Sequence, residues 1–279
     1  MASNPLEVHF LGTGGGRFTT ITQMRRTAGF RIVHGGTQVH VDPGPGALVF
    51  SNWARLNPQS LDAVIVTHCH PDHYTDAEVL VEAMTHGTRR KRGVLAASKS
   101  VLQGNDKCDP SVSRYHQNLV ERIETLKPGH TFDVEELNFQ GVDAKHSDSD
   151  TVGFRVTASD VGSMGYTSDT SYFDGIGGKY RGLRLLVLCT MWPRGEPLRY
   201  HLHTDEALKI LEEASPGCAL LTHFGVKMLR ADPEAEAAYL EESTGVPTVA
   251  ARDGMTLILG DGVEVRGPRK KDEPRFIDA

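Results

Sequence analysis

The chain has 279 residues, of which 39% are hydrophobic and 24% are charged, and its formal net charge is −6. These values are ordinary for a soluble globular protein that buries a substantial core. The negative charge argues against a generally basic nucleic-acid-binding surface, although it does not exclude a local basic groove. No apolar run approaches the roughly 18 residues of a membrane span, and the first residues lack the pattern of a signal peptide. We therefore expect a cytoplasmic protein that does not associate with membranes.

The four cysteines lie far apart in the sequence and form no C-x-x-C pair; they are Cys69, Cys108, Cys189 and Cys218. Such spacing is more typical of reduced intracellular thiols than of a disulfide framework. It agrees with the expected cytoplasmic location.

The first half of the chain alternates short apolar runs, which predict strands, with apolar stripes at helical spacing. Strands are predicted at 6–11, 30–33, 38–41, 63–66 and 93–97, and helices at 47–56, 76–86 and 113–126. The run Ala63–Val66 is continuously apolar, as expected for a strand that is buried on both faces. The glycine-rich residues 12–16 predict either a tight turn or a loop whose N–H groups approach a phosphate.

The second half repeats this organisation. Strands are predicted at 131–142, 151–157, 161–166, 183–189, 218–221, 248–250 and 255–259, and helices at 204–213 and 233–243. Strand clusters with intervening helices predict an α/β fold, a sandwich of two mixed sheets covered by helices. We expect one domain over 1–262, made of two similar halves at about 1–140 and 141–262. The Pro-containing, basic residues 263–279 are expected to be a mobile C-terminal tail.

The most informative motif follows the strand 63–66, where His68, His70, Asp72 and His73 occupy six positions. His68 and His70 are at alternate positions, so in an extended backbone their side chains leave the same side. Imidazole and carboxylate groups are ligands of zinc and similar divalent cations. Four candidate ligands on one loop indicate two metal ions.

Further polar residues follow predicted strands in the second half: His146, Asp169, His201, His203 and His223. Each histidine alone would more often be a surface or core residue than a ligand. Because strand ends can meet at one edge of a sheet sandwich, the joint pattern predicts that His146, Asp169 and His223, each behind a strand, complete the metal site.

This order of residues resembles the metallo-β-lactamase fold superfamily, and the resemblance covers the chain from about 6 to 259. Its H-x-H-x-D-H motif is matched at 68–73. The resemblance implies an αββα sandwich of two mixed sheets flanked by helices. It implies that His68, His70 and His146 hold one metal ion. It also implies that Asp72, His73 and His223 hold a second ion and that Asp169 bridges both.

The sequence is most similar to the ribonuclease Z-like and cyclic-phosphodiesterase-like branch. The opening Phe10-Leu-Gly-Thr-Gly14, the additional His201 and the closing Thr222-His223-Phe224 match that branch. Two features depart from it. Ser168 stands where a glycine is common, and a left-handed backbone there would strain a serine. The chain also lacks the long Gly/Pro-rich arm with which ribonuclease Z grips tRNA; the basic residues 89–92 are the nearest substitute.

The ligand set predicts a hydrolase whose nucleophile is a hydroxide bridging two divalent metals. Zn²⁺ is the expected ion, and Mn²⁺ or Fe²⁺ would also be compatible. Asp72 is the candidate for orienting the nucleophile or accepting its proton. His201 is the candidate for stabilising the scissile phosphate or protonating the leaving oxygen. Asp42 could orient a ligand imidazole or cap a turn. His203, Lys227 and Arg230 are further candidates for supporting the ligands or binding substrate.

A metal-dependent phosphodiesterase or nuclease acting on a small phosphodiester or on RNA is thus the first hypothesis. The alternative is hydrolysis of a carbonyl substrate such as a thioester, lactone or lactam. A diiron redox protein is disfavoured because that class commonly has glutamate in place of His70, and a non-catalytic metal-binding protein is disfavoured by the complete ligand set. The resemblance also suggests a homodimer.

Overall fold

The computed structural model describes residues 4–268. Its strands are β1 Leu6–Phe10, β2 Phe30–His34, β3 Thr37–Val41, β4 Ala63–Val66, β5 Val94–Ser98, β6 Arg122–Leu126, β7 Thr131–Val134, β8 Leu137–Asp143, β9 Val152–Ala158, β10 Gly162–Tyr166, β11 Leu185–Trp192, β12 Leu202–His203, β13 Cys218–Thr222, β14 Thr248–Ala250, β15 Thr256–Leu259 and β16 Val263–Arg266. Its helices are α1 Arg17–Thr22, α2 Ala47–Trp53, α3 Pro71–Tyr74, α4 Ala77–Met84, α5 Lys99–Gln103, α6 Arg114–Gln117, α7 Thr204–Ala214, α8 Val226–Ala231 and α9 Pro233–Thr244. Short 3₁₀ turns cover Pro58–Ser60 and Gly177–Tyr180.

The strands form two eight-stranded sheets that share a common core. The first sheet has the order β16-β15-β1-β2-β3-β4-β5-β6, and the second has the order β14-β13-β11-β10-β9-β8-β7 with β12 added to β11. In the first sheet the pairs from β16 to β3 are antiparallel and those from β3 to β6 are parallel. The second sheet likewise joins a parallel part, β14 to β10, to an antiparallel part, β10 to β7. Both sheets are therefore mixed, as predicted.

Three apolar clusters define four layers. One cluster lies between the sheets and contains side chains from both, such as Phe10, Phe30, Phe139 and Phe154. A second packs α7, α8 and α9 on the outer face of the second sheet. A third packs α2, α4 and α5 on the outer face of the first sheet. The predicted αββα sandwich is thus confirmed.

Local sequence explains the elements that border the site. All four residues of β4 are buried, because this strand has sheet neighbours on both sides and packed layers on both faces. Helix α7 begins after His203, which caps it together with the carboxylate of Glu206. Helix α9 begins with Pro233, whose missing N–H would be unpaired in the first turn anyway, and the Asp232 side chain accepts a hydrogen bond from Glu234 N–H.

Two predicted boundaries are wrong. The helix expected at 113–126 is only the short α6, followed by strand β6. Val120, Ile123 and Leu126 have spacings that a helix would share, but parallel pairing with β5 decides the conformation. The halves also do not divide at 140, because β7 and β8 already belong to the second sheet and β15 and β16 return to the first.

The tail prediction needs a related correction. Val263–Arg266 form β16, which is hydrogen-bonded to β15 at the edge of the first sheet, so the predicted mobile segment cannot begin at 263. The rest of that prediction, from 269 onwards, lies outside the described residues. Within residues 4–268, no helix combines the length and the apolarity that crossing a bilayer requires.

Candidate metal centre

Three overlapping groups of imidazole and carboxylate side chains meet where strands end at one edge of the sandwich. In each group the donor atoms lie within 4.8 Å of one another. The groups are His68, His70, His146 and Asp169; Asp72, His73 and His223; and Asp169, His201 and His223. The seven predicted ligands and His201 are therefore brought together by the fold.

The first group is built from the loops after β4, β8 and β10. His70 Nδ1 lies 3.1 Å from His68 Nε2 and 3.0 Å from His146 Nε2. Asp169 Oδ2 lies 3.9 Å from His68 Nε2 and 3.8 Å from His146 Nε2. Four donor atoms from three separate loops thus face one point.

The second group uses the short helix α3 and the loop after β13. His73 Nε2 is 3.1 Å from His223 Nε2, and Asp72 Oδ2 is 3.3 Å from the same nitrogen. Asp169 also reaches this group, because its Oδ1 lies 3.2 Å from His223 Nε2 and its Oδ2 lies 3.7 Å from His73 Nε2. Among the described residues, Asp169 is consequently the one carboxylate that faces both groups.

The donor atoms fit divalent cations better than they fit one another. Nitrogens bound to one tetrahedral zinc at about 2.0–2.1 Å would be roughly 3.3 Å apart, close to the observed separations. His70 Nδ1 faces two other imidazole nitrogens, and a single proton can satisfy only one such contact. Asp169 Oδ1 is buried, and among the described residues it accepts no hydrogen bond. A cation would satisfy all of these atoms.

Asp42 orients the second group by contacting the His73 ring on the nitrogen that does not face the other donors. Its Oδ2 lies 2.9 Å from His73 Nδ1 and accepts hydrogen bonds from Thr67 Oγ1 at 2.8 Å and Tyr166 Oη at 2.9 Å, while Oδ1 accepts from Thr67 N–H at 2.8 Å. Such a contact fixes the tautomer and ring orientation of a ligand histidine. The sequence indicated Asp42 as a candidate for this position but gave no sign of Tyr166, which arrives from β10.

The backbone near Asp169 is strained as the sequence suggested it could be. Ser168 has φ 54°, in the left-handed region that favours glycine. Its hydroxyl donates to Thr67 Oγ1 at 2.7 Å, which is an interaction that glycine could not make. The serine therefore links the Asp169 loop to the Thr67–Asp42 network in exchange for a strained backbone.

The glycine-rich loop after β1 supports the donors and does not offer its N–H groups to a ligand. Each N–H from 12 to 16 has a partner, namely Gly29 O, Asp253 Oδ1, Arg26 O, Phe224 O and Asp72 Oδ2 in chain order. Gly15 lies directly against the His223 ring, where a Cβ would approach ring carbons to 2.2–2.3 Å. Of the two alternatives from the sequence, the turn is confirmed and the phosphate loop is wrong.

The electrostatic environment keeps most donors in the form that binds metal. Burial lowers the pKa of His68 well below its usual value and that of His201 to about 4, so both rings are neutral at pH 7. Burial opposes ionisation of Asp72 and Asp169, but the surrounding imidazoles outweigh it and lower the pKa of both carboxyls. Burial also opposes the charged form of His73, whereas three nearby carboxylates outweigh that effect and raise its pKa.

Other residues complete the surroundings of the site. His146 Nδ1 lies 2.8 Å from Tyr200 O, which fixes the ring from the side opposite the donors. Asp148 Oδ2 accepts the Cys69 N–H at 3.1 Å and the Ser100 hydroxyl, so it holds the backbone between His68 and His70. Sequence reasoning missed Asp148 because an acidic residue in a polar loop gives no signal by itself.

Three of the weaker candidates lie outside the donor groups. His203 caps helix α7, and its Nδ1 lies 3.1 Å from Asp205. The Lys227 ammonium pairs with Glu196 at 2.8 Å and lies 4.0 Å from the Trp192 ring centroid. Arg230 lines an open cleft beside Arg25 and Arg252. In the basic run 89–92, Arg92 is occupied by Asp62 and two backbone carbonyls.

The fold and this cluster of donors together define a metallo-β-lactamase-like protein, and comparisons agree. The family model described as a Beta-lactamase superfamily domain matches residues 37–224. The chain is 38% identical over 259 residues to the uncharacterized protein MJ1374 of Methanocaldococcus jannaschii, covering 92% of this chain and 96% of that protein. It is 30% identical over 132 residues to the ribonuclease Z of Thermococcus kodakarensis, covering 47% of this chain and 37% of that enzyme.

A solved structure shows the same architecture. The metallo-beta-lactamase fold protein YhfI from Bacillus subtilis aligns with a TM-score of 0.75 and 21% identity over 91% of this chain and 99% of that one. The chain therefore belongs to the metallo-β-lactamase superfamily. The family prediction from the sequence is confirmed.

Proposed function

We propose that the protein is a phosphodiesterase that uses two divalent metal ions. The observation that carries this proposal is the position of Asp169, whose two oxygens face the histidines of both donor groups. His68, His70 and His146 would hold one ion, Asp72, His73 and His223 would hold the other, and Asp169 would bridge them. Zn²⁺ suits this set of imidazoles and carboxylates, and Mn²⁺ or Fe²⁺ would be compatible with it.

When bound, two such ions would lower the pKa of a water molecule and polarise a phosphoryl oxygen. Asp72 is fixed for a part in this chemistry, because Gly16 N–H donates to its Oδ2 at 2.7 Å. Its lowered pKa keeps the carboxylate ionised, so it can orient the attacking water and accept a hydrogen bond from it.

His201 stands at the side of the donors, with Nδ1 3.4 Å from Asp169 Oδ2 and its ring stacked 5.9 Å from that of His223. Its neutral ring still carries one N–H, which can donate to a phosphoryl oxygen. An anionic phosphate beside the ring would favour the imidazolium, and His201 could then protonate the leaving oxygen. The same proximity would also let His201 act as a ligand, and the metal content of a His201 variant distinguishes the two roles.

Two observations bear on the substrate. Similarity to a ribonuclease Z supports a phosphodiester. The segment between His73 and His146 consists of α4 to α6, β5 to β8 and their connections, and Arg92 in its basic run is occupied by protein groups. This arrangement favours a small phosphodiester, or the end of an RNA, over a long folded RNA.

The proposal is tested with the purified chain, a metal analysis and a pair of substrates. We expect about two metal ions per chain and hydrolysis of bis-p-nitrophenyl phosphate, with little hydrolysis of a chromogenic lactam or thioester. Turnover of the carbonyl substrates alone would overturn the phosphodiesterase assignment. One metal ion per chain in a fully active protein would overturn the dinuclear one.

Matched histidine variants separate ligands from substrate-binding groups. His223→Ala should lose one of the two ions, because it removes a donor from the second group. His201→Ala should keep both ions and lose turnover by about 10²–10⁴-fold, the usual contribution of a general acid. His203→Ala is the control, since it changes a nearby histidine that caps a helix. Loss of metal from His201→Ala would make His201 a ligand.

We also propose a homodimer that forms through helix α1 and the residues after it. Phe18 and Ile21 are 75% and 78% exposed and share a face at helical spacing, and Met24 nearby is 52% exposed. A second copy of this surface would remove these side chains from water. Light scattering should give a dimer for the wild type and a monomer for Phe18→Glu/Ile21→Glu. Val79→Glu, on the exposed face of α4, is the control. A monomeric wild type would contradict the proposal.

A further inference from the structure

Two cysteines that are far apart in the sequence meet beside the metal centre. Cys69 Sγ and Cys108 Sγ are 3.1 Å apart, although 39 positions separate them in the chain. A disulfide bond is about 2.0 Å long, so an approach of about 1 Å would allow the two sulfurs to bond. The sequence spacing gave no sign of this pair.

We propose that Cys69 and Cys108 form a reversible disulfide when the protein meets a low-molecular-weight disulfide such as oxidised glutathione. This inference rests on the positions of the two thiols and does not depend on the proposed phosphodiesterase activity.

Hydrogen bonds hold the two thiols next to each other. Asp148 accepts the Cys69 N–H through Oδ2 and the Asn105 amide through Oδ1, at 3.1 and 3.2 Å. Asn105 and Cys108 form a tight turn by exchanging backbone hydrogen bonds, and the Lys107 ammonium donates to Ser147 O. One carboxylate therefore ties the segment that carries the first thiol to the loop that carries the second.

The loop also leaves room for the reaction. Asp106, Lys107 and Asp109 are exposed, and Cys108 between them is half-buried, so a small reagent can reach its sulfur. Cys69 is held between two buried or half-buried histidines, so the exposed loop would make most of the movement of about 1 Å. The other two cysteines, Cys189 and Cys218, are buried in strands of the second sheet.

The chemistry balances in two exchange steps. The Cys108 thiolate attacks oxidised glutathione, forms a mixed disulfide and releases one glutathione thiolate. The Cys69 sulfur then attacks the Cys108 sulfur while the Cys69 thiol gives its proton to the second glutathione, which leaves as a thiol. In sum, two protein thiols are oxidised, one small disulfide is reduced to two thiols, and the protons pass from the protein thiols to the leaving thiolates.

The bond would act on the segment that carries two candidate ligands. Cys69 lies between His68 and His70, and its bond to Cys108 would close a covalent loop around α3, α4, β5 and α5. Hydrogen bonds to Asp148 already connect the Cys69 segment to the Cys108 loop, and the disulfide would add a covalent link between the same two segments. We expect the oxidised protein to unfold at a temperature several degrees above that of the reduced protein.

The test counts thiols in the full-length protein. Incubation with oxidised glutathione, followed by acid quenching, alkylation and mass spectrometry, should reduce the free thiols from the four of the sequence to two. Peptide mapping should find Cys69 linked to Cys108, and dithiothreitol should restore both thiols. Cys69→Ser and Cys108→Ser should each abolish the link, whereas Cys218→Ser should still lose two thiols.

Three results would overturn the proposal. The wild type could keep all four thiols at a glutathione ratio that oxidises a reference dithiol. It could carry glutathione on Cys108 without forming the internal bond. The internal bond could form without raising the unfolding temperature, which would overturn the expected constraint on the segment 68–70. Because each readout is independent of turnover, failure here is distinguishable from failure of the phosphodiesterase proposal.

Discussion

Replacing Gly15 by alanine should remove one metal ion without unfolding the protein. Gly15 Cα faces the His223 ring, and a Cβ there would lie 2.2 Å from Cδ2 and 2.3 Å from Cε1 and Cγ. Ordinary van der Waals contact begins near 3.4 Å, so the ring or the backbone would have to move by about 1 Å.

The backbone has little freedom to move. Gly15 N–H donates to Phe224 O at 3.1 Å, and Phe224 N–H donates to Thr13 O at 2.8 Å, so the two segments are hydrogen-bonded side by side. The ring is the part that yields. Ligand distances tolerate only about 0.2 Å, so a shift of about 1 Å takes His223 out of the second donor group. A displacement of that size costs about 10²-fold in turnover, and overpacking should cost about 1–3 kcal/mol of stability.

The assay combines metal content, phosphodiester turnover and thermal unfolding. Gly178→Ala is the matched control, because no atom lies within 4 Å of its added Cβ and its φ is not in the left-handed region. We expect the control to keep two ions and full turnover. A Gly15→Ala protein that binds two ions and turns over substrate at the wild-type rate would refute the reasoning.

Three further predictions concern stability. Asp42→Asn removes the charge that faces His73 and disturbs three donated hydrogen bonds, so urea unfolding should show a loss of about 2–4 kcal/mol, and metal affinity should fall 10–100-fold; unchanged values would contradict it. Burial lowers the pKa of His40 to about 3, with Arg31 beside it adding to the shift. Below about pH 6.5, His40 is therefore protonated in the unfolded chain but stays neutral in the folded chain. The free energy of unfolding consequently falls as the pH falls from 6.5 towards 3. Between pH 7 and pH 5, His40→Gln should lose about 2 kcal/mol less than the wild type, and equal losses would contradict this. Removal of metal with a chelator should lower the unfolding temperature by several degrees, and added Zn²⁺ should restore it, since the donors converge only in the folded chain; calorimetry would reveal the absence of such a shift.

The sequence was sufficient to predict that the polar residues that follow strands would meet. His68 to His73 could be identified because the cluster is local and lies directly behind a continuously apolar strand. His146, Asp169 and His223 could be identified because each follows a strand whose end reaches the same edge of the sandwich. The local motif and the order of the strands were enough to predict that these residues lie close together, and the fold confirms that they do.

Contacts between distant segments could not be predicted in the same way. The glycine-rich loop is compatible with a phosphate-binding turn until Phe224 and Asp72 are seen to accept its N–H groups. His201 and His203 are two positions apart, yet His201 faces the donors and His203 caps a helix. The reason is that His201 precedes β12, whereas His203 is already the N-cap residue of α7. The pairing of Cys69 with Cys108 depends on a loop conformation that spacing does not encode.

The order of strands in the first sheet affects when the protein can become functional during its synthesis. Strand β1 lies between β2 and β15, and Leu6 pairs with Leu259, 253 positions later (259 − 6). The loop that holds Asp72 and His223 extends from β1, and Asp253, just before β15, accepts hydrogen bonds from Thr13. A nascent chain cannot complete this arrangement until β15 has left the ribosome. The donor groups are therefore complete only after β15 has been synthesised, well after the histidines of the 68–73 motif.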